Sequence, residues 1–342
     1  MPPVAEPTTD LVVAEDLVKV YAARRSSRGR RSQEIRALDG VSLSLRRGET
    51  LGIVGESGSG KSTLARLLVN LERPTAGRLQ VAGEELASLS GASRTRAWRS
   101  NVQMVFQDPY SSLNPSMTVA EIVKEPWRVH RDVVPRSDWD AELEVLLDAV
   151  GLASRLAARK PGELSGGQRQ RVTIARALAL KPKLLVCDEA VASLDVSIQA
   201  QILTVLEQVR ESHDVSYVFI SHDLAVVRYF CDRVAVMYLG RIVEAGSGDE
   251  VYERPKHPYT TALLSAEPAP RFDGRPSRRI TLEGEIPDPT AIPSGCRFRT
   301  RCWKAQDVCA TTPPDLEHVD GTHRVACHFP EPTTTAQENG HV

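Results

Sequence analysis

Gly55-Glu56-Ser57-Gly58-Ser59-Gly60-Lys61-Ser62 is the stretch that decides how this chain folds. An apolar run, Leu51 to Val54, precedes it, and a helical pattern, Ser62 to Leu71, follows. Strand, glycine-rich loop and helix in that order form a phosphate-binding loop in an α/β sheet. Each residue type has a reason. Gly55, Gly58 and Gly60 let backbone N–H groups close on phosphate oxygens. A helix starting near Lys61 brings the positive end of its dipole to the same place. The Lys61 ammonium can neutralise outer phosphates, and the Ser62 hydroxyl can ligate Mg²⁺.

An acidic partner follows. Leu184-Leu185-Val186-Cys187 reads as a buried strand ending in Asp188-Glu189. A carboxylate at the tip of a core strand sits beside such a loop and can hold Mg²⁺ through water; Glu189 points the other way and can orient or deprotonate an attacking water. A second small-residue loop, Leu164-Ser165-Gly166-Gly167-Gln168, opens the helical pattern Gln168–Leu180, in which Val172, Ala175, Arg176 and Ala179 recur at helical spacing. It is a second helix N-terminus suited to an anion.

With these motifs in this order, the chain resembles the nucleotide-binding subunits of ABC transporters. Leu164 to Gln168 matches that family's signature letter for letter. A chance match to five residues is on the order of one in two thousand for a chain this long, too rare to set aside. Gln107, in Phe106-Gln107-Asp108-Pro109, resembles the Q-loop, Ser193-Leu194-Asp195 the D-loop, and His222, after the apolar strand Tyr217–Ile220, the switch histidine. Tyr21, ending the predicted strand Leu17–Tyr21, resembles the aromatic residue that stacks on adenine.

The resemblance implies an α/β P-loop NTPase (RecA-like) core with an antiparallel β subdomain, an inserted helical subdomain and a small Cys-rich C-terminal extension. It implies ATP contacts at Tyr21, Gly55, Ser57, Gly58, Ser59, Gly60, Lys61, Ser62, Thr63, Gln107 and Asp188, with Mg²⁺ held through Ser62, Gln107 and Asp188. Glu189 and His222 are the implied catalytic pair. Ser165, Gly166, Gly167 and Gln168 would engage ATP bound by a second subunit, and Asp195 lies at the same joint. Two chains would thus enclose two ATP molecules head to tail. Ala190 and Ala192 depart from the residues common in relatives, yet neither position touches phosphate there, so a hydrolytically competent half-site is expected.

The resemblance and the composition together divide the chain. Residues 1–9 read as a loose arm, residues 10–107 and 164–255 as the ATP-binding core, and residues 108–163 as the helical insert, with helices over Thr118–Val129 and Trp139–Val150. Gly240–Gly246 reads as a closing hairpin and Ser247–Arg254 as a short helix. Ala23–Arg36 is a basic insertion, read as a solvated hairpin loop or a contact for anionic lipid headgroups. Residues 256–330 form the expected extension and residues 331–342 a disordered tail. Tyr110-Ser-Ser-Leu-Asn-Pro115 and His257-Pro258-Tyr259-Thr260 resemble the peptide-importer branch.

The chain has 342 residues and a net charge of −1, so no nucleic-acid footprint is implied. No apolar stretch of ~20 residues and no secretory h-region occurs, so docking on membrane subunits from the cytoplasmic face is expected. Four of the six cysteines, Cys296, Cys302, Cys309 and Cys327, fall in the last part of the chain. Disulfides are disfavoured in a cytosolic protein. In the oligopeptide and dipeptide importers, an extension with a similar pattern binds a [4Fe–4S] cluster through four cysteines. Zinc and unmetallated thiols are the alternatives, since the close C-x₂₋₄-C pairs of structural zinc sites are absent. His323 and His328 are reserve ligands, while Cys187 and Cys231 read as small core residues.

The expected function is the ATPase subunit of an oligopeptide or dipeptide importer. Its expected partners are a second, homologous ATP-binding chain, two transmembrane permeases and an extracellular substrate-binding protein. The same branch also imports nickel, glutathione or oligosaccharides, which this sequence does not separate. A soluble ABC ATPase of DNA maintenance or translation would carry coiled-coil inserts or tandem cassettes. A P-loop kinase or GTPase would lack Leu164–Gln168, and the Asn-Lys-x-Asp guanine motif is missing here.

Overall fold

The computed structural model describes residues 10–22, 34–89, 91–192, 194–266 and 280–332. The arm at 1–9, most of the basic insertion, Ser193 and nearly all of the tail therefore lie outside the described residues.

The N-terminal half contains β1 (Val12–Ala22), β2 (Glu34–Leu45), β3 (Thr50–Val54), α1 (Lys61–Leu68), β4 (Ala76–Val81), β5 (Glu84–Glu85), α2 (Ala92–Asn101) and β6 (Val102–Val105). Then come α3 (Pro109–Ser112), α4 (Val119–Val129), α5 (Trp139–Ala149) and α6 (Gly166–Leu178). The sheet resumes with β7 (Leu184–Asp188), α7 (Val196–His213), β8 (Ser216–Ile220), α8 (Leu224–Phe230), β9 (Arg233–Tyr238) and β10 (Arg241–Ser247). The chain ends through α9 (Gly248–Glu253), α10 (Pro258–Ala266), α11 (Asp307–Thr311), β11 (Glu317–Asp320) and β12 (His323–Val325).

Two sheets form. A four-stranded antiparallel sheet has the order β2-β1-β4-β5, and an eight-stranded mixed sheet runs β11-β12-β10-β9-β3-β8-β7-β6. Within the larger sheet β9, β3, β8, β7 and β6 are parallel. Those strands are covered on both faces, which is why they read as unbroken apolar runs. Alternation divides their side chains. Leu184, Val186, Val218 and Ile220 join the core beneath the antiparallel sheet and α1. Leu185, Cys187, Tyr217 and Phe219 face the opposite core with α4, α6 and α7.

The helical insert packs through Trp127, which is fully buried and donates from Nε1 to the Ala179 carbonyl at 2.7 Å. Thr118 caps α4 in a reciprocal box with Glu121, fixing where that helix starts. Cys187 and Cys231 are buried, as expected of small core residues, and burial raises both thiols well above the usual range.

One feature departs from the sequence reading. The C-terminal hairpin returns to the main sheet, with β12 pairing antiparallel to β10 through Glu244↔Val325 and Ala245↔Arg324. Neither hairpin strand announces itself by an apolar run, because β11 is exposed along its whole length.

Candidate active site

The loop after β3 and the start of α1 form one side of a cavity of about 310 Å³. Ser57, Gly58, Gly60, Lys61, Ser62 and Thr63 line its polar end, with Glu189 facing them, while Tyr21, Ile35 and Leu239 line an apolar end. Gly60 has φ +107° and lies so near the Ala37 carbonyl that a Cβ would come within 2.5 Å of it. Only glycine meets both demands.

Lys61 is buried, and its ammonium donates to the carbonyls of Gly55 (2.6 Å) and Glu56 (2.9 Å). Burial lowers its pKa, opposed by the nearby carboxylates of Glu189, Asp188 and Glu56. The Ser62 hydroxyl donates to Asp188 Oδ1 at 3.3 Å. Burial raises the Asp188 carboxyl, partly offset by this hydrogen bond and reinforced by neighbouring Glu189. A hydroxyl and a carboxylate one hydrogen bond apart, beside the phosphate cradle, are the hard oxygen donors Mg²⁺ takes. The residues present fit that ion.

Glu189 leaves β7 with φ +50°, in the left-handed region that non-glycine residues seldom occupy. Three contacts hold it there. Its N–H donates to the Ile220 carbonyl at 2.9 Å, Gln107 Nε2 donates to Oε2 at 2.8 Å, and His222 Nδ1 lies 3.4 Å from Oε1. Gln107 follows β6, Glu189 follows β7 and His222 follows β8. Three adjacent strand ends thus gather three functional side chains, at the carboxyl edge where α/β sheets bind ligands. Gln107 meets Glu189 here, rather than Asp188.

Tyr21 forms part of the cavity wall, and its hydroxyl donates to the Glu72 carboxylate. The Lys19 ammonium stands 5.0 Å from its ring centre. Burial, followed by the bond to Glu72, raises the phenol pKa.

The second loop sits elsewhere. Ser165 caps α6, accepting from the Gln168 N–H at 3.3 Å, while Gln168 Oε1 accepts from the Ser165 N–H at 3.0 Å. Gly167 is there for closeness: a Cβ would come within 2.7 Å of Ile198. Ser165 is exposed, as are Asp195 and Val196. None of Ser165, Gly166, Gly167, Gln168 or Asp195 lines the cavity around Lys61.

Cys296, Cys302, Cys309 and Cys327 line a single small cavity with His328. Burial raises the thiols of Cys296, Cys302 and Cys327, the last to about 11. Among the described residues no three His, Cys, Asp or Glu side chains are grouped so that they could hold one metal ion. His323 is not with the thiols. Its Nε2 pairs with buried Glu244 at 2.6 Å.

Sequence reasoning missed several contributors. Ile35, Leu239, Pro289 and Ile292 line the nucleotide-sized cavity, and none carries a motif. Apolar wall residues have no chemistry of their own to betray them in a sequence; only the fold brings them to the pocket.

A P-loop at the mouth of a parallel sheet, with a carboxylate held to face it, defines a nucleoside-triphosphate hydrolase. Comparison with known proteins narrows the class. The family model described as ABC transporter matches residues 38–192, and that described as oligopeptide/dipeptide transporter, C-terminal region, matches residues 243–309. Oligopeptide transport ATP-binding protein AppF of Bacillus subtilis is 47% identical over 315 residues, 92% of this chain and 95% of that protein. OppF of Escherichia coli, of the same description, is 50% identical over 294 residues, 86% and 87% of the two chains. Among solved structures, the ATP-binding cassette MJ0796, a dimer bound to ADP and Pi, superposes with a TM-score of 0.61 at 30% identity. It covers 69% of this chain and 98% of its own. The chain belongs to the ATP-binding proteins of ABC transporters, and it is an ATP-hydrolysing enzyme.

Proposed function

We propose that this chain powers the import of oligopeptides or dipeptides, hydrolysing ATP on the cytoplasmic face of the membrane. The observation that carries the hydrolytic role is the convergence of Gln107 and His222 on Glu189 beside Lys61. Peptide cargo is supported by relatives named for oligopeptide transport and by the C-terminal match; nickel, glutathione and oligosaccharide import have no such support. No described helix is long and apolar enough to cross a membrane.

The residues divide the chemistry. Lys61 exchanges its two carbonyl partners for β- and γ-phosphate oxygens, and the loop N–H groups take the remainder. Tyr21 packs on adenine. Ser62, Asp188 and Gln107 would hold Mg²⁺, which would offset the negative charge of the phosphates. Glu189 accepts a proton from, or orients, the attacking water, and His222 contacts the γ-phosphate. Ser165, Gly166, Gly167 and Gln168 reach ATP held by a second chain, with Asp195 at the joint. The exposure of Ser165 and Asp195, neither of which lines the Lys61 cavity, supports that reading. The partners are a homologous ATP-binding chain, two transmembrane permeases and an extracellular substrate-binding protein, with no nucleic acid. Residues 10–107 and 164–255 act as the ATP-binding core, 108–163 as the helical subdomain and 256–330 as the extension.

A [4Fe–4S] cluster is the group proposed for Cys296, Cys302, Cys309 and Cys327, with zinc the alternative. Its support is that the four thiols line one cavity and that the close C-x₂₋₄-C pairs of structural zinc sites are absent from the sequence. A cluster spreads its four thiolates over separate irons and would bind this part of the chain together. Anaerobically purified protein is expected to be brown, with visible absorption lost on chelation; colourless protein holding stoichiometric zinc contradicts this assignment.

The test of the hydrolytic reading is Glu189→Gln. ATP binding should persist while phosphate release slows by about 10²–10⁴-fold, the usual worth of a positioned general base. Near-normal hydrolysis would remove Glu189 from the mechanism.

A further inference from the structure

Glu56 is a P-loop residue whose side chain does not line the cavity. Its carboxylate is gripped instead by Arg301, whose two terminal nitrogens meet it at 2.7 and 3.1 Å. Arg301 lies 245 residues away in sequence and its side chain is only 7% exposed. The Glu56 N–H donates to the Tyr259 hydroxyl at 2.8 Å, and the Glu56 carbonyl accepts from Lys61 at 2.9 Å. Every polar group of this one residue is therefore engaged, two of the three by segments after α9.

Those segments are themselves anchored. Tyr259 is fully buried, its ring 4.7 Å from Tyr238 of β9 and 5.4 Å from Phe298. Arg297 pairs with Asp39 and donates to the carbonyl of Leu239, a cavity residue. Pro289 and Ile292 of the same segment line the same cavity as Tyr21 and Ile35.

We propose that residues 289–301 form part of the nucleotide site. Pro289 and Ile292 complete its apolar end, and Arg301 is a positioning residue that holds the P-loop through Glu56. This rests on the reading of the Lys61 cavity as the ATP site. A glycine-rich loop must lose backbone freedom to cradle phosphate. A rigid, bidentate arginine clamp imposes that order before ATP arrives, so less binding energy is spent on ordering. The clamp acts on affinity and leaves the Gln107–Glu189–His222 group untouched.

The experiment titrates the full chain with a fluorescent ATP analogue and Mg²⁺, and measures KM and kcat in the assembled transporter. Arg301→Met and Glu56→Gln should each weaken ATP binding and raise KM roughly tenfold, with kcat within about twofold. The double variant should be no worse than either single one, because both break the same contact. Arg301→Lys, which keeps charge but loses the fork, should recover part of the affinity. Ile292→Ala should weaken ATP but not tripolyphosphate, whereas the clamp variants weaken both. Wild-type affinity in folded Arg301→Met and Glu56→Gln, or equal loss of kcat and melting temperature without a change in KM, overturns the clamp. Should Arg301→Met fail to fold, Glu56→Gln, which preserves volume, decides alone. Lys61→Ala separates the levels: if it binds ATP normally, the nucleotide-site reading itself fails. If it loses ATP while the clamp variants do not, only the present inference does.

Discussion

His257 shows how far burial alone can set chemistry at one position. The ring is fully buried, and its Nδ1 accepts from the Tyr259 N–H at 3.0 Å, which requires the neutral form. Burial depresses its pKa to about 4 against an ordinary value of 6.5. Between those two values the unfolded chain binds a proton that the folded chain refuses. Stability is therefore level above about pH 6.5 and falls as pH drops toward 4, by about 3 kcal/mol from this group. Melting temperatures of the wild type and His257→Asn from pH 7.5 to 4 test this. The variant's curve should be flatter, and equal slopes would exclude His257 as the source. At this scale the sequence was most legible where residue type and spacing carry the chemistry, as at Lys61, Ser62, Asp188 and Glu189. Glu56 gave no such signal, because its meaning depends on an arginine hundreds of residues downstream.

Among the elements, the junction of β10, α10 and β12 turns on a single carboxylate. Glu244 is fully buried and accepts from the N–H groups of Lys256 (2.7 Å) and His257 (2.9 Å) as well as pairing with His323. Glu244→Ala strands three buried polar groups and should destabilise the fold by about 3–5 kcal/mol, measured by urea denaturation. A loss under 1 kcal/mol would show that water or a shifted backbone replaces the carboxylate. Helices were readable because their signals are local. The expected helices over Thr118–Val129 and Trp139–Val150 form as α4 and α5, each within a residue of the expected bounds. The hairpin of β11 and β12 was not, since its pairing with β10 spans about eighty residues and its exposed strand has no apolar face.

For the whole molecule, two anion-ready helix starts, of which only the one at Lys61 lines the cavity, have a direct consequence. Ser165→Arg should leave the affinity of the isolated chain for ATP within about twofold. Mixed with the proposed homologous ATP-binding chain, magnesium and ATP in the Glu189→Gln background, it should fail to associate by size-exclusion chromatography. Turnover of the otherwise wild-type variant should drop on the order of 10²-fold, as when a transition-state donor is lost. Unchanged association would mean that each chain completes its own site. The amino-acid sequence by itself determined the phosphate loop, the carboxylate strand, the turn at Ser165 and the presence of the helices, with their ends set only to within two or three residues. Each is built from residues close together along the chain, where spacing alone dictates backbone geometry and chemistry. Only the tertiary structure decided that Gln107 and His222 both lean on Glu189 and that β12 joins the main sheet. It alone brought Pro289 and Ile292 to the cavity at Lys61, and Arg301 to Glu56. Those are contacts between distant segments, whose closeness comes from packing two cores around one sheet and leaves no local pattern to read.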